Sequence, residues 1–379
     1  MRARARDSGV VIGRLEPGPL NAITDIPGVL VGQTTVIAGD GPLVPGHGPA
    51  RTGVTAIRPH PGNLFRDKVA GAAFVLNGFG KTIGLPQVAE LGTIETPILL
   101  TNTLNVGLCA DALVGYMLSE DPGIGVTAGT VNPVVGECND GYLNDIRGRH
   151  VRAEHVLAAL RGAESGPVQE GAVGAGTGMS CFGWKGGVGT ASRRVKAHTV
   201  GVLVVTNFGR PHELTIDGVH VGRELTPPGA PGPSNGAEPP RATEAPAGSI
   251  MIVVGTDAPV DSRQLGRLCR RAAFGLANTG STIGHGSGDF IIAFTSGTRE
   301  PAGDGEFIDR TLLRDDGRTM AGLFTAAVEA TEEAIIDSLF TAETVTGRDG
   351  HRREALPVDE VLRLMDGVGR VGRAPRRGR

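Results

Sequence analysis

Four short segments of this chain are apolar throughout, and this feature constrains the fold more than any other. A strand with one face in water alternates apolar and polar residues, whereas a strand covered on both faces is apolar along its length. The segments therefore predict buried strands in sheets that are covered on both sides. They are AAFVLN (72–77), TVGVLVVTN (199–207), SIMIVVG (249–255) and DFIIAF (289–294).

Helical patterns lie between and after these strands. Residues 261–280 begin with Asp261, a residue type that caps helix N-termini, and they carry an apolar face. Residues 321–347 form a longer pattern that ends at Gly347, a residue type that often follows the last turn of a helix. Helices that cover apolar strands predict a layered α/β fold.

The composition excludes several classes of protein. The 379 residues carry a formal net charge of −3, which provides no general attraction for nucleic acid or an anionic membrane. No apolar run is as long as a membrane span. The length allows one large domain, a processed single domain or two ordinary ones. The basic ends, MRARAR and RVGRAPRRGR, are predicted to be solvated, mobile termini.

Cysteine and histidine usage indicates neither disulfides nor a metal site. The four cysteines are scattered without CxxC spacing, as expected for small buried residues in a reducing compartment. The nine histidines form no ligand pattern, and HExxH is absent. We therefore expect a soluble, cytoplasmic protein without a metal or cofactor.

One long segment, residues 223–248, has the composition of a mobile loop. It holds seven prolines and almost no large apolar side chain. Such a segment cannot offset its ordering entropy by burial. Unstructured insertions of this length inside a compact domain are usually functional or linkers. The segment ends abruptly at Ser249, where an apolar strand begins.

Two interpretations fit the pair Gly248 and Ser249 at this junction. In the first, the pair is the end of a linker, with glycine supplying a turn. In the second, the chain cleaves itself. The Ser249 hydroxyl attacks the carbonyl of Gly248, the peptide becomes an ester, and water releases a new chain that begins with Ser249. Glycine suits the preceding position because it tolerates the unusual backbone geometry that such an attack requires.

A new N-terminus at Ser249 would carry its own general base. An α-amine has an unperturbed pKa of about 7.7–8.0, so it can accept the proton of the neighbouring hydroxyl near neutral pH. N-terminal nucleophile hydrolases use this arrangement. The strand would hold the nucleophile and its base together, and no histidine would be required.

Further polar residues lie at the ends of the predicted strands. Asn207 ends one strand and is either an oxyanion-hole donor or a strand-end turn residue. Ser287 and Asp289 stand immediately before the apolar run of another strand. Residues 137–145 hold a dense polar cluster that fits either a binding loop or a solvated turn.

The glycine-rich segment 174–189 matches no phosphate-binding template. A GxGxxG motif would need glycine where Met179 stands. A Walker A motif would need Gly-Lys followed by Ser or Thr, but Lys185 stands between Trp184 and Gly186. We interpret the segment as a glycine-rich wall that lets backbone approach a substrate or a neighbouring strand.

Six longer stretches carry a family resemblance. They are NAITDIPGVLVG, VNPVVGECNDGYLNDIRGR, VTNFG, AGSIMIVVGTDAP, GSGDFIIAF and ATEEAIIDSLFTAETVTGRDG. In this order they resemble the self-cleaving L-aminopeptidase/D-Ala-esterase/amidase family, which also contains the β-aminopeptidases. The similarity runs from about residue 8 to residue 350 and so covers nearly the whole chain.

The resemblance implies a four-layer αββα sandwich, similar to N-terminal nucleophile hydrolases but differently connected. It also implies one hydrolase domain, residues 1–379, cut between Gly248 and Ser249 into an α chain of 1–248 and a β chain of 249–379. Ser249 is then the nucleophile. The same resemblance implies a homo-oligomer of the processed heterodimers, commonly a tetramer.

Roles for individual residues follow from the same resemblance. Asn207 matches the oxyanion-hole asparagine, and Ser287 matches a second serine that helps to relay the proton of the nucleophile. Asp289 falls where an acidic residue orients that serine or the free amine. Tyr142 falls at an active-site tyrosine. Glu137 falls where a carboxylate can hold the ammonium group of a substrate by a charge-assisted hydrogen bond.

The predicted activity is hydrolysis of the N-terminal residue of short peptides, amino-acid amides and esters through an acyl-enzyme on Ser249. Two alternatives stay open. One is a self-cleaving acyltransferase of the ornithine acetyltransferase type, which characteristically cuts before threonine. The other is a non-catalytic α/β scaffold protein that kept the fold. Pocket shape, which the sequence does not reveal, decides among L-α-, D- and β-amino-acid substrates.

Overall fold

Two β-sheets, stacked face to face and covered on both outer sides by helices, form the four layers of this fold. The computed structural model describes residues 2–228, 248–303 and 305–372. The layers confirm the predicted αββα sandwich.

The strands and helices of the described residues are numbered in chain order. The strands are β1 Leu30–Ala38, β2 Ala50–Arg58, β3 Asp67–Gly78, β4 Thr93–Ile94, β5 Ile98–Asn102, β6 Val134–Cys138, β7 Ser180–Cys181, β8 Trp184–Lys185, β9 Val188–Val195, β10 His198–Asn207, β11 Ser249–Thr256, β12 Gly288–Pro301, β13 Val345–Thr346 and β14 Arg352–Arg353. The helices are α1 Leu85–Leu91, α2 Val106–Glu120, α3 Ala153–Arg161, α4 Ser262–Asn278, α5 Arg318–Phe340 and α6 Val358–Gly367.

The larger sheet has six strands in the order β4-β3-β12-β11-β10-β9. Strand β11 lies inside it, parallel to β12 and antiparallel to β10. All eight residues of β11 are buried. The four apolar segments of the sequence are β3, β10, β11 and β12, which lie side by side in this sheet. The predicted burial is confirmed for the apolar segments of β10, β11 and β12. It is wrong for residues 73–77 of β3, which are partly exposed, with Val75 52% exposed. The neighbouring strand β4 pairs with Val69 and Ala70 and does not extend along this part of β3.

The smaller sheet has four strands in the order β1-β2-β5-β6, with β5 and β6 parallel. It packs on the larger sheet through an apolar layer that includes Ile57, Leu100, Met251 and Phe294. Gly136 of β6 lies close to this layer, since a Cβ atom there would stand 2.3 Å from Met251 Cε. The missing side chain at Gly136 lets β6 approach the beginning of β11.

Helices α2 and α3 cover the outer face of the smaller sheet, and α4 and α5 cover that of the larger sheet. Helix α4 begins after Asp261, whose carboxylate accepts the N–H of Gln264 at 2.7 Å. This contact confirms the predicted N-cap.

Helix α5 ends at Phe340, so the predicted helix end at Gly347 is wrong. The Asp337 carbonyl already accepts the N–H of Thr341 at 3.0 Å, and the Thr341 hydroxyl donates to it as well at 2.7 Å. The chain leaves the helix after this turn because Val345 and Thr346 pair with Arg353 and Arg352 of β14. The apolar pattern alone does not reveal this pairing.

The N-terminal arginines are anchored on α5, which corrects the prediction of a solvated, mobile N-terminus. Arg4 pairs with Asp337 at 2.9 Å, and Arg6 pairs with Glu333 at 2.7 Å. Burial alone raises the pKa of Glu333, but Arg193 and Arg6 lower it below its ordinary value. Buried carboxylates need cationic partners, and the N-terminal segment supplies two of them.

Residues 229–247 of the predicted loop 223–248 and residues 373–379 of the basic C-terminal end lie outside the described residues. Both predictions therefore stay predictions. Among the described residues, no helix combines the length and the apolarity needed to cross a lipid bilayer.

Candidate active site

The beginning of β11 brings several predicted site residues together. Ser249, its first residue, lies opposite Asn207 of β10 and opposite Gly288 of β12. Ser287 and Asp289 flank that glycine. Residues directly opposite each other on neighbouring strands share a face of the sheet. Ser249 and Asn207 are therefore on the same face, the one that packs against the smaller sheet.

The carbonyl oxygen of Gly248 accepts two hydrogen bonds in the uncleaved chain. The Ser249 hydroxyl donates to it at 2.6 Å, and the N–H of Gly288 donates at 3.1 Å. A Cβ atom at Gly248 would stand 3.2 Å from Ser287 Oγ and 3.4 Å from Phe208 Cα. The hydroxyl that follows the peptide bond is therefore close to a polarised carbonyl in a narrow space.

A buried carboxylate orients the second serine. Ser287 Oγ donates to Asp289 Oδ1 at 2.7 Å, and both side chains are buried. Burial raises the pKa of Asp289 from 3.8 to about 6, while hydrogen bonds from Ser287 and the Ile250 N–H oppose this shift. Near neutral pH the carboxylate is therefore mostly ionised and accepts the Ser287 proton. Asp289 Oδ2 is buried without a hydrogen-bond partner among the described residues.

Two hydrogen bonds hold the amide of Asn207. Its Oδ1 accepts the N–H of Ser180 at 2.9 Å, and its Nδ2 donates to the carbonyl of Asn139 at 2.9 Å. An amide nitrogen has a second hydrogen, so Asn207 can donate to one more acceptor.

A cavity of about 620 Å³ opens beside these residues, a size common for small-molecule sites. Gly248, Asn207 and Ser287 are part of its lining. Ser249 is only 4% exposed and is not part of the lining. Gly248 therefore marks the cavity edge next to the Ser249 hydroxyl. Other lining residues include Asn139, Tyr142, Ser180, Arg210, Glu213 and Arg353.

Tyr142 is half-exposed in this cavity and stacks on two side chains of the hairpin β13–β14. Its ring lies 4.6 Å from the His351 ring at an interplanar angle of 12°. The Arg353 guanidinium carbon lies 3.6 Å from the Tyr142 ring centroid. The tyrosine is thereby held at the cavity surface between a polar loop and the hairpin.

Glu137 is not part of the cavity lining in the uncleaved chain. Its neighbour Gly136 faces Met251 of the larger sheet, so by strand alternation Glu137 leaves β6 on the other face. There Oε1 accepts the N–H of Lys81 at 2.9 Å, and Oε2 accepts the Thr103 hydroxyl. The structure thus brings Glu137 to the same strand end as the site but not into the cavity wall.

Lys185 fastens the glycine-rich segment beneath the site. It is fully buried, and burial lowers the pKa of its amine from 10.5 to about 7. The Lys185 Nζ donates to the carbonyls of Gly176, Met179 and Gly186 at 2.9, 2.8 and 2.7 Å. The Met179 carbonyl belongs to the same peptide unit as the Ser180 N–H that binds Asn207. Lys185 therefore holds the peptide unit that positions the Asn207 amide.

Sequence reasoning missed Ser180, Lys185, Arg353 and the N–H of Gly288. Only Lys185 had a signal, since it is the single charged residue in segment 174–189. A backbone N–H has no sequence signature. Ser180 and Arg353 belong to this site through tertiary contacts alone. Within the described ranges, no group of three or more His, Cys, Asp or Glu is placed to hold a metal ion.

Several known proteins are similar to this chain in sequence over nearly their whole length, and those of known structure also share its fold. A Pyrococcus horikoshii protein of known structure is 50% identical, with a TM-score of 0.89, and the match covers 97% of this chain and 100% of that protein. Beta-peptidyl aminopeptidase BapA of Sphingosinicella xenopeptidilytica is 43% identical over 369 residues, which are 96% of this chain and 90% of that protein.

The L-aminopeptidase D-Ala-esterase/amidase of Ochrobactrum anthropi, whose structure is described as a prototype for the serine aminopeptidases, is 35% identical with a TM-score of 0.86. The match covers 97% of this chain and 99% of that one. Its fold is described as a variant of the Ntn hydrolase fold.

The layered sheets, with a polar site at the first residue of a central strand, define an Ntn-hydrolase-type fold. The model of peptidase family S58 matches residues 21–353. The chain belongs to peptidase family S58, and the relatives named above include aminopeptidases. These matches favour a hydrolase over the acyltransferase and scaffold alternatives.

Proposed function

We propose that this chain is an autoprocessed serine aminopeptidase that hydrolyses the N-terminal residue of short peptides, amino-acid amides and esters. One observation carries the proposal: the Ser249 hydroxyl lies 2.6 Å from the carbonyl oxygen of Gly248, at the first residue of a buried strand. Family membership supports a peptidase, and relatives named as aminopeptidases support removal of an N-terminal residue.

Self-cleavage begins when Ser249 Oγ attacks the carbonyl carbon of Gly248. The carbonyl oxygen becomes an oxyanion, which the N–H of Gly288, 3.1 Å away, stabilises. The C–N bond then breaks, its nitrogen takes up a proton, and the Gly248 acyl group remains as an ester on Oγ. Water hydrolyses this ester, which frees the Gly248 carboxylate and the Ser249 hydroxyl.

Ser287 and Asp289 form the proposed proton relay for this cleavage. Ser287 accepts the proton of Ser249 while it gives its own proton to Asp289. A proton then returns along the same path to the leaving backbone nitrogen of Ser249, which becomes the new α-amine. The 2.7 Å hydrogen bond between Ser287 and Asp289 supports this role, as does a carboxylate pKa near the pH of the cell.

Cleavage makes the α-amine of Ser249 the base for the next reaction. This amine, with an ordinary pKa of about 7.7–8.0, takes the Oγ proton as Oγ attacks a substrate carbonyl. Asn207 Nδ2 and the Gly288 N–H donate to the tetrahedral oxyanion. The proton then passes to the leaving amine, and the acyl group stays on Ser249 until water releases it.

Glu137 and Tyr142 are the proposed substrate-recognition residues. An ionised carboxylate has about four acceptor positions, and Glu137 uses two of them for Lys81 and Thr103. Capacity therefore remains for the ammonium group of a substrate. Tyr142 provides an aromatic surface in the cavity wall.

The proposed chains, residues 1–248 and 249–379, stay together as one domain after the cut. Strand β10 of the first pairs with β11 of the second along its length, from Asn207 with Ser249 to Val200 with Thr256. Assembly of these heterodimers into a homo-oligomer such as a tetramer remains a prediction, as does the cytoplasmic location.

Intact-mass measurement of the purified protein tests the proposal. We expect two fragments that divide between Gly248 and Ser249, and activity on amino-acid p-nitroanilides. Ser249→Ala should remain one chain and should be inactive. A wild-type chain that stays whole after prolonged incubation, or a Ser249→Ala variant that is still cleaved, would refute the self-cleavage.

A further inference from the structure

Arg353 is a charged group in the cavity wall to which the proposed reaction gives no task. Its Nε donates to Ser180 Oγ at 3.0 Å, and its guanidinium lies over the ring of Tyr142. These contacts fix the plane of the guanidinium, and the described residues place no acceptor other than the Tyr142 hydroxyl at its terminal nitrogens. The arginine is therefore preorganised at the cavity surface.

No carboxylate pairs with this guanidinium among residues 2–228, 248–303 and 305–372. Burial lowers the pKa of Arg353, and Tyr142 opposes the shift, but arginine keeps its proton in proteins. A half-buried cation without an anionic partner has lost hydration that one hydroxyl group and one aromatic ring replace only in part. An anionic ligand would replace it.

The other charged groups that line the cavity do not supply that anion. They are Arg210 and Glu213. Together with Arg353, the described lining therefore holds two cations and one carboxylate. Glu213 already accepts the N–H of Arg210 at 2.8 Å and the Thr282 hydroxyl at 3.3 Å. The described lining therefore has a positive excess, which attracts an anionic substrate group.

Ser180 connects Arg353 to the reacting centre. Its N–H donates to Asn207 Oδ1 at 2.9 Å, and its hydroxyl accepts from Arg353 Nε at 3.0 Å. One residue thus separates the amide that faces the oxyanion from the guanidinium. The two hydrogen bonds are 2.9 and 3.0 Å long, so the guanidinium lies within about 10 Å of the Asn207 amide. A peptide residue spans about 3.3–3.6 Å, so this upper limit fits one or two residues of substrate beyond the scissile bond.

We propose that Arg353 is the subsite for the free C-terminal carboxylate of the leaving product, and that the enzyme is therefore adapted to peptides whose leaving part is one or two residues long. This inference rests on the proposed aminopeptidase function and names its substrate class. Guanidinium binds carboxylate through two parallel hydrogen bonds, which fixes the position of the leaving group as well as its charge.

The test compares three substrates with the same N-terminal residue: a dipeptide, the same dipeptide as its C-terminal amide, and the p-nitroanilide. For the wild-type enzyme we expect kcat/KM for the dipeptide to exceed that for its amide about tenfold or more. Arg353→Gln should lower kcat/KM for the dipeptide about 10–100-fold more than for the other two substrates, because only the dipeptide carries the carboxylate. Arg353→Lys should recover part of the preference, because lysine keeps the charge without the fork geometry.

Arg352→Gln is the matched control. Arg352 precedes Arg353 in β14, pairs with Glu354 at 2.6 Å and does not line the cavity. This variant should keep the wild-type preference for the free carboxylate.

Equal wild-type rates on the dipeptide and its amide would overturn the subsite, as would an Arg353→Gln variant that loses all three activities equally. In both cases p-nitroanilide hydrolysis that depends on Ser249 would leave the aminopeptidase function intact. A wild-type enzyme that cleaves none of the three substrates would overturn both.

Discussion

Asn207 and Ser249 are directly paired across two antiparallel strands. The pairing sets the distance between the proposed oxyanion donor and the proposed nucleophile by the backbone hydrogen bonds of the sheet. Sheet geometry holds opposite residues about 4.5–5.5 Å apart between Cα atoms. A rigid element therefore positions both groups, which is what a preorganised site requires.

Replacing Asn207 with alanine should lower kcat about 10²–10³-fold, which corresponds to about 2.7–4 kcal/mol, with a smaller change in KM. The reason is that the amide meets the substrate oxygen mainly when negative charge develops on it. Steady-state kinetics with a p-nitroanilide measure both constants. Asn278→Ala, which removes an asparagine whose side chain binds Glu332 on the far side of the sheet, should change kcat less than about threefold. A full-rate Asn207→Ala enzyme would exclude the oxyanion role.

Self-cleavage should slow as the pH falls through about 6. Asp289 has a raised pKa of about 6, so it is ionised above that pH and protonated below it. Only the ionised form accepts the proton of Ser287, and each pH unit below the pKa lowers the ionised fraction about tenfold. The appearance of the 249–379 fragment, followed in buffers from about pH 4.5 to 8 after cell-free synthesis, measures the rate. Asp289→Asn should be slow at every pH, and a flat wild-type profile would contradict the relay.

Gly288→Ala should slow self-cleavage about tenfold or more, because it displaces a donor to the Gly248 carbonyl. A Cβ atom at position 288 would stand 2.8 Å from the carbonyl oxygen of Phe79 and 3.0 Å from Gly80 Cα, so β12 has to shift. Gly284→Ala is the control in the preceding loop, where an added Cβ meets nothing within 4 Å. Fragment formation measured by gel electrophoresis compares the two. Equal rates for both variants would remove Gly288 from the mechanism.

Glu137→Gln should raise KM for substrates with a free amine about 10–100-fold, since a hydrogen bond to a charged group contributes about 1.5–3 kcal/mol. The change in kcat should be smaller, because the ammonium group is bound equally before and during the reaction. Kinetics on one amino-acid p-nitroanilide measure the split between the two constants. An unchanged KM would assign ammonium binding to another group.

Arg193→Met should destabilise the fold by about 3–5 kcal/mol, the usual effect of removing one partner of a buried ion pair. Arg193 is fully buried and pairs with Glu333 and, at 3.2 Å, with Glu329. Urea unfolding of the uncleaved Ser249→Ala chain, with and without this change, measures the effect. Arg194→Met, at the next and exposed position, should stay within about 0.5 kcal/mol. Similar losses for both variants would contradict the buried-pair interpretation.

Much of the local structure could be predicted from the sequence. The apolar run that begins at Ser249 identified a fully buried strand, and Asp261 identified a helix cap, because strand burial and capping depend on residues close together in the chain. The same pattern predicted that Ser249 is the first residue of this strand. The end of α5 was not predicted, since the chain leaves the helix to form the hairpin β13–β14, and helical periodicity does not encode that strand pairing.

Some features of the candidate site could be predicted from the sequence and others could not. The types of its residues, a serine after glycine, an amide at a strand end and a serine two positions before an aspartate, were visible in the sequence. The anchoring of Arg4 on Asp337 was not, and a charged terminus was wrongly interpreted as solvated. Burial of a charge depends on a partner elsewhere in the chain.

Local sequence thus determined which segments become strands and which polar side chains stand at their ends, because backbone periodicity and capping act over a few residues. Only the tertiary structure decided that Asn207 faces Ser249, that Ser180 joins Asn207 to Arg353, and that Glu137 lies on the other face of its strand. The physical reason is strand pairing. Register and sheet order bring together residues far apart in the chain, and no single segment contains the information that selects its partner.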